Sequence, residues 1–268
     1  MFKDITLGQY YPGDSVVHRL DPRTKIVLMI AYIAVVFAIS EMWLFSVAAA
    51  FVVFTAALSR LPFSYLWKSL KPLKWVLVFM FVLNVFTIKT GKALVDWWVI
   101  KITVGGVLQA LFVLIRLTLL VAGTSLMTLT TTPIALTDGL EKLLSPFKRI
   151  GFPAHELAMM MTIALRFIPT LLEEADKIMK AQLSRGADFE TGGLVKRAKS
   201  MIPIIVPLFV SAFRRADELA MAMESRCYHG GEGRTRMKQL KFCASDGVAA
   251  LLVFVMLGAI IAVQAVWY

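Results

Sequence analysis

The chain has 268 residues, 58% of them hydrophobic and only 18% charged, with a mean hydropathy of +0.72. That balance excludes an ordinary soluble domain and makes the bilayer the main solvent. The net charge of +11 reads as a topology signal combined with attraction to anionic lipid, at about 1 kcal/mol per near-surface Lys or Arg. Nucleic-acid binding is the poorer reading, because the charges are mixed in sign and no basic stretch is interleaved with base-stacking aromatics.

The first twenty-five residues carry Lys3, Asp4, Asp14, Arg19, Asp21, Arg23 and Lys25 without an apolar core, so no removable signal peptide is expected. Asp21 can cap the first helix, with Pro22 in its first turn. Ile26 to Ile39 and Met42 to Leu58 are apolar runs parted by Ser40-Glu41, the pattern of a tight helical hairpin. Leu73 to Ile88, Val104 to Leu129 and Gly247 to Trp267 are further runs in chain order. A helix needs about 20 mostly apolar residues to cross the hydrocarbon, so the expectation is about five spans. Arg60, Lys68, Lys71 and Lys74 crowd one connection, whereas Glu41 is the only charge between Lys25 and Arg60. By the positive-inside rule Glu41 and the Lys89 to Lys101 loop face outward, the N-terminus stays cytoplasmic, and Tyr268 ends outside.

Three regions are therefore expected: 1–129 with the tail and four spans, 130–245 as a cytoplasmic coupling region, and 246–268 as the last span. The middle region holds 17 of the 29 basic and 12 of the 18 acidic residues. Within it, Thr132-Pro133 opens a short amphipathic helix with Leu136, Leu140, Leu143 and Leu144 on one face, and Ser145-Pro146 ends it. A long helix is expected from Ala154 to Ser184, kinked at Pro169, with Gly186 as a left-handed cap. After Gly192-Gly193 a second runs to Arg226 through Pro203 and Pro207. Both are apolar early and charged late, so each is expected to start against or slightly within the membrane and to slope out toward water.

These two helices end alike. At an offset of 41 residues (226 minus 185), Ala175-Asp176 falls on Ala216-Asp217, Ala181 on Ala222, and Ser184-Arg185-Gly186 on Ser225-Arg226-Cys227. A lone arginine at a helix C-terminus is adequately explained by the dipole, worth about 0.3–1 kcal/mol. Capping does not require a matching ten-residue approach, however, and a guanidinium presents a planar fork of donors suited to a carboxylate or to carbonyls in a protein groove. Two equivalent sockets on a partner outside the bilayer are implied.

At these residues the chain resembles the transmembrane T component of energy-coupling-factor (ECF) vitamin importers. The resemblance runs almost end to end: Gly8-Gln9-Tyr10 with Pro12-Gly13 and Ser15, then His18-Arg19-Leu20-Asp21-Pro22-Arg23, Ala164-Leu165-Arg166-Phe167-Ile168-Pro169, and Glu218-Leu219-Ala220 leading into the second tripeptide. That family ends two coupling helices in Ala-Arg-Gly-like motifs that dock on two ATPases. Here both alanines are serine and the second glycine is Cys227. The resemblance implies an all-α membrane protein with a cytoplasmic pair of long coupling helices, and a complex with two ATP-binding-cassette ATPases and a small vitamin-binding membrane subunit. Ser184, Arg185, Gly186, Ser225, Arg226 and Cys227 would carry the ATPase coupling, supported by Asp176, Asp217, Ala181 and Ala222. The first two strings look closest to the shared type that serves several substrate-binding subunits.

The residues themselves place ATP elsewhere, since a phosphate-cradling loop needs Gly, four residues, then Gly-Lys-Ser/Thr. The single Gly-Lys, Gly91-Lys92, is followed by Ala93 and has Phe86 at the required upstream position. No cofactor is expected on this chain, with ATP and Mg belonging to the ATPase partners. Cys227 with His229 supplies two metal ligands where a closed zinc site needs four. Cys227 and Cys243 are expected to stay reduced. His18 is expected to be positional. Met159, Met160, Met161, Met221 and Met223 are ordinarily core, yet flexible thioethers also suit contact with a substrate-binding subunit. Arg116 lies about 18 Å into its apolar run, facing either a partner or cavity, or a protein-lined pocket on a tilted helix. A self-sufficient secondary transporter or channel is the alternative, requiring a site near the midplane. A membrane-embedded enzyme would need a nucleophile–base or metal set, and none is legible.

Overall fold

A computed structural model describes residues 10–90, 92–97, 100–189, 193–231 and 240–267. Gly8, Gln9, Gly91, Gly192 and Tyr268 lie outside the described residues. The chain divides into two units, residues 140–239 with 1–7, and residues 8–139 with 240–268.

The second of these is a helical bundle. After the short α1 (Val16–Arg19), α2 (Pro22–Ala38) starts where the sequence signals it, the Asp21 carboxylate accepting from the Arg23 amide at 2.9 Å. The helix α3 (Leu44–Leu58) returns from it. The next span is longer than the apolar run predicts: α4 (Phe63–Leu70) joins α5 (Lys74–Thr87) through a 3-10 turn, Lys71–Leu73, giving a continuous Phe63–Thr87 helix. Lysines conceal this in the sequence, because their aliphatic stems cover apolar surface while their ammonium groups reach outward. Between α5 and α6 (Val104–Thr130) the expected outer loop contains a small antiparallel hairpin, β1 (Ala93–Trp97) and β2 (Ile100–Thr103). Its ends are tied to the helices through the Thr103 hydroxyl, which donates to the Ile88 carbonyl at 3.0 Å. The chain re-enters this unit in α10 (Ala244–Trp267).

Side chains define how these helices run. Lys25 Nζ donates to the Thr130 carbonyl (2.9 Å) and Thr131 Oγ1 (3.0 Å), and Tyr32 donates to the Leu119 carbonyl (2.8 Å), so α6 is antiparallel to α2. At the start of α10, Asp246 accepts from the Asp21 amide at 2.8 Å, and farther along Gln264 donates to the Ala38 carbonyl at 2.9 Å, so α10 is parallel to α2. The Tyr11 amide donates to the Leu129 carbonyl, and its ring packs at a tilt against Tyr65. The starts of α2, α4 and α10 therefore share one end of the bundle with the close of α6, and the α2–α3 turn and the hairpin share the other.

The core lies between α2, α3, α6 and α10, with Val36, Ile39, Leu44, Ala48, Leu129 and Ile260 almost fully enclosed. Outward stand Trp75, Phe79, Leu251 and Phe254, all more than half exposed, as expected where lipid replaces water. Among the described residues, four helices are long and apolar enough to cross a membrane: Phe63–Thr87, Val104–Thr130, Ala154–Ser184 and Ala244–Gln264, with Leu44–Leu58 apolar but shorter. Ala154–Ser184, which the sequence marks as a coupling helix, thus has an apolar part of spanning length.

Arg116 has a structural partner. It donates to the Ile39 carbonyl at 2.6 Å and stacks over Phe112 and Phe37. Together with Gln264 it satisfies carbonyls that the end of α2 leaves without intrahelical donors. This favours the reading of Arg116 as a residue lodged in a protein-lined pocket over that of one facing a partner or cavity.

The other unit contains the end of α7 (Pro133–Leu144), a 3-10 turn Ser145–Ile150, α8 (Ala154–Ser184) and α9 (Leu194–Glu224). Both long helices run unbroken through their prolines, Pro169 in α8 and Pro203 and Pro207 in α9.

Candidate functional site: two matched helix ends

The termini of α8 and α9 close by the same hydrogen-bond pattern. At α8 the Gly186 amide donates to the Leu183 carbonyl (3.0 Å) and the Ala187 amide to that of Gln182 (3.0 Å), with Gly186 left-handed at φ +83°. At α9 the Cys227 amide donates to Glu224 (2.8 Å) and the Tyr228 amide to Met223 (3.1 Å), with Cys227 left-handed at φ +56°. Each pair of bonds is a Schellman cap, which satisfies carbonyls that a helix end would otherwise leave free. The offset of 41 residues thus holds bond by bond. Cys227 performs the turn normally left to glycine, at a backbone cost of about 1–2 kcal/mol for an L side chain.

One consequence is positional. Arg185 and Arg226 each sit at the last residue before the left-handed turn, so each guanidinium is presented past the end of its helix. Both are exposed, and neither has a side-chain hydrogen bond or ion pair among the described residues. The serines that replace alanine are occupied locally: Ser184 donates to the Lys180 carbonyl (3.1 Å) and Ser225 to that of Ala222 (3.0 Å). Ala181 and Ala222 are exposed on the approach. Asp176 pairs with Lys180 one turn on at 2.7 Å. Asp217, its counterpart, is exposed.

Arg215 bridges to Glu174 at 2.7 Å, and these two are themselves repeat-equivalent positions (174 plus 41). The bridge is partly exposed and worth about 0.2–1 kcal/mol, so its value is as a marker of register. Near the other end of the pair, Tyr228 reaches His155 at 3.3 Å. Together the two contacts make α8 and α9 antiparallel. Arg185 lies eleven residues beyond Glu174 and Arg226 eleven beyond Arg215, in opposite directions. Straight helices at about 1.5 Å per residue separate the arginines by about 33 Å along the pair.

The methionines divide. Met160, Met161 and Met221 are 55%, 45% and 63% exposed. Met159 and Met223 are half-buried, and the Met159 sulfur accepts from the Tyr228 hydroxyl at 3.0 Å. Only the first three therefore form available surface. His229 Nδ1 contacts the Cys227 carbonyl at 2.8 Å, a loop position as expected. His18 is bonded to Ser15 at 2.7 Å and to the Tyr11 carbonyl at 3.0 Å, so its role is positional.

Two groups of residues escape the sequence reading. One is the polar cluster at the head of the bundle. Here Arg23 forks onto Asp21 (3.2 and 3.1 Å), donates to Leu240 (3.0 Å) and covers the Phe242 ring, while Asp246 binds the Asp21 amide. The other is Glu141–His155–Tyr228, which joins α7, α8 and the second arginine motif. Neither has a periodic signal, since the contacts that tie each cluster across elements span 14 to 225 residues.

Known proteins share this sequence over most of its length. The family model for CbiQ, described as cobalt transport protein, matches residues 13–237. The energy-coupling factor transporter transmembrane protein EcfT of Thermosediminibacter oceani is 57% identical over 244 residues, covering 91% of this chain and 92% of its own. That of Ruminiclostridium cellulolyticum is 51% identical over 268 residues, the whole of both chains. The Bacillus subtilis protein of the same name is 47% identical over 246 residues, 92% of this chain and 93% of its own.

Proposed function

This chain belongs to the family of energy-coupling factor transporter transmembrane proteins, and from that premise we propose that it passes the motion of two partner ATPases to a small substrate-binding membrane subunit. It is a multi-pass membrane protein and a transporter component rather than a catalytic subunit. The observation that carries the proposal is the matched pair of helix ends. Two exposed arginines, each held past an identical cap, suit two equivalent grooves on two related partners.

In this reading, ATP and Mg are bound by the ATPases and no cofactor by this chain. ATP-driven closure of the ATPases moves the ends at Arg185 and Arg226, with Ser184, Gly186, Ser225 and Cys227 forming the turns. The long antiparallel helices transmit the displacement. Residues 130–245 face the cytoplasm, where their basic excess belongs. The adaptable surface of Met160, Met161 and Met221 meets the substrate-binding subunit, which selects the substrate. Polar replacement of these three should weaken that subunit's co-purification more than that of the ATPases, and equal loss of both would place the methionines in the fold instead. Tagging the chain and recovering its partners tests the whole proposal: two ATP-binding-cassette ATPases and a small membrane protein are expected, and a chain that transports alone would overturn it.

A further inference from the structure

The two arginine ends match in their caps but differ in the residue that succeeds each cap. After Gly186 comes Ala187, whose short side chain offers no polar group. After Cys227 comes Tyr228, whose single hydroxyl proton is shared between two acceptors, the Met159 sulfur at 3.0 Å and His155 Nε2 at 3.3 Å. The opposite nitrogen of the same ring, Nδ1, meets Glu141 Oε1 at 3.1 Å. Because a carboxylate only accepts, Nδ1 carries the proton and donates to Glu141. The chain then turns at Gly230, φ +95°, and lays the backbone of Gly231 on the imidazole, where an added Cβ would stand 2.5 Å from Cδ2. His155 and Glu141 side chains are 27% and 15% exposed. The imidazole is therefore held on both nitrogens and covered on one face.

We propose that His155 is a positioning residue for the second coupling motif: through Tyr228 and Gly231 it latches the Arg226 turn onto the first turn of α8, a contact for which Ala187, the counterpart of Tyr228, has no polar group. The use of the latch rests on the ATPase-facing reading of Arg226, whereas its existence does not. A rigid Arg226 end delivers displacement of its socket directly into the start of α8, about 46 Å of helix away from the Arg185 end.

The test uses the full-length chain in lipid nanodiscs with Cys243→Ser, a nitroxide on Cys227 and, in a separate sample with Cys227→Ser and Cys243→Ser, a nitroxide on Ser184→Cys. His155→Ala and Tyr228→Phe should each mobilise the label at 227 and leave that at 184 unchanged. Tyr228→Phe keeps the ring and loses only the hydroxyl, so it guards against simple misfolding. In the reconstituted transporter each should lower ATP-driven uptake about fivefold, the scale of one net hydrogen bond. Adding either to Arg226→Ala should cost nothing further, whereas adding it to Arg185→Ala should multiply the two losses. An immobile label at 227 in both variants, or multiplied losses with Arg226→Ala, would overturn the latch. A mobilised label with uptake insensitive to Arg226→Ala would uphold the latch and discard the ATPase-facing reading.

Discussion

At the scale of single residues, three cations of the bundle are held by backbone carbonyls. Arg116 donates to Ile39 O, Lys25 to Thr130 O, and Arg23 to Leu240 O. A carbonyl at a helix end or in a loop lacks an intrahelical donor, so in an apolar setting a guanidinium is a strong partner for it. Replacing Arg116 with Met should therefore leave Ile39 O unsatisfied and destabilise the chain by about 1–3 kcal/mol. Thermal unfolding of the detergent-solubilised chain measures this, and ATPase recovery below the unfolding temperature should not change. An unchanged unfolding temperature would mean that lipid or water already satisfies that carbonyl. The apolar run around Arg116 reveals its depth, but the partner 77 residues away leaves no mark in the local sequence.

At the scale of elements, hydrophobic runs predict the positions of α2, α3, α6 and α10 to within a few residues. They miss the α4 start of the third span because Lys68, Lys71 and Lys74 break the apolar run without breaking the helix. The hairpin β1–β2 is equally hidden, being nine strand residues inside a charged connection. Conversely, the long helices α8 and α9 are legible from Gly151-Phe152-Pro153, Gly186 and their shared endings. The cap at Cys227 is where sequence reasoning stops short, since a cysteine does not announce a left-handed turn. Cys227→Gly should stabilise this terminus by up to about 1 kcal/mol, and Gly186→Ala should destabilise the other by about the same amount. Circular dichroism melts of the two variants should move in opposite directions. Shifts of the same sign would mean that the two caps are not equivalent.

At the scale of the whole molecule, the bundle's internal bonds tie the sidedness of its ends together. Asp21, Tyr65, Thr130 and Asp246 share one end, so assigning any one of them to the cytoplasm assigns the rest. Single cysteines introduced at Glu41 and at Lys68, with Cys227 and Cys243 replaced by serine, should react with an impermeant maleimide from the outer and inner faces respectively. Reaction of both from one face would break this arrangement. The proposed coupling runs through the two arginine ends, and the most direct measurement is ATP-driven uptake by the reconstituted transporter carrying Arg185→Ala, Arg226→Ala or both. Truncating one partner of a buried charged hydrogen bond costs about 2–5 kcal/mol, against at most about 1 kcal/mol for an exposed helix-end dipole contact. Each single variant should assemble poorly or transport far below the parent rate, Lys should rescue only partly because it lacks the planar fork, and the double variant should not transport. If both alanine variants bind the ATPases and transport at the parent rate, the arginines are ordinary helix-terminal charges and the coupling account is wrong.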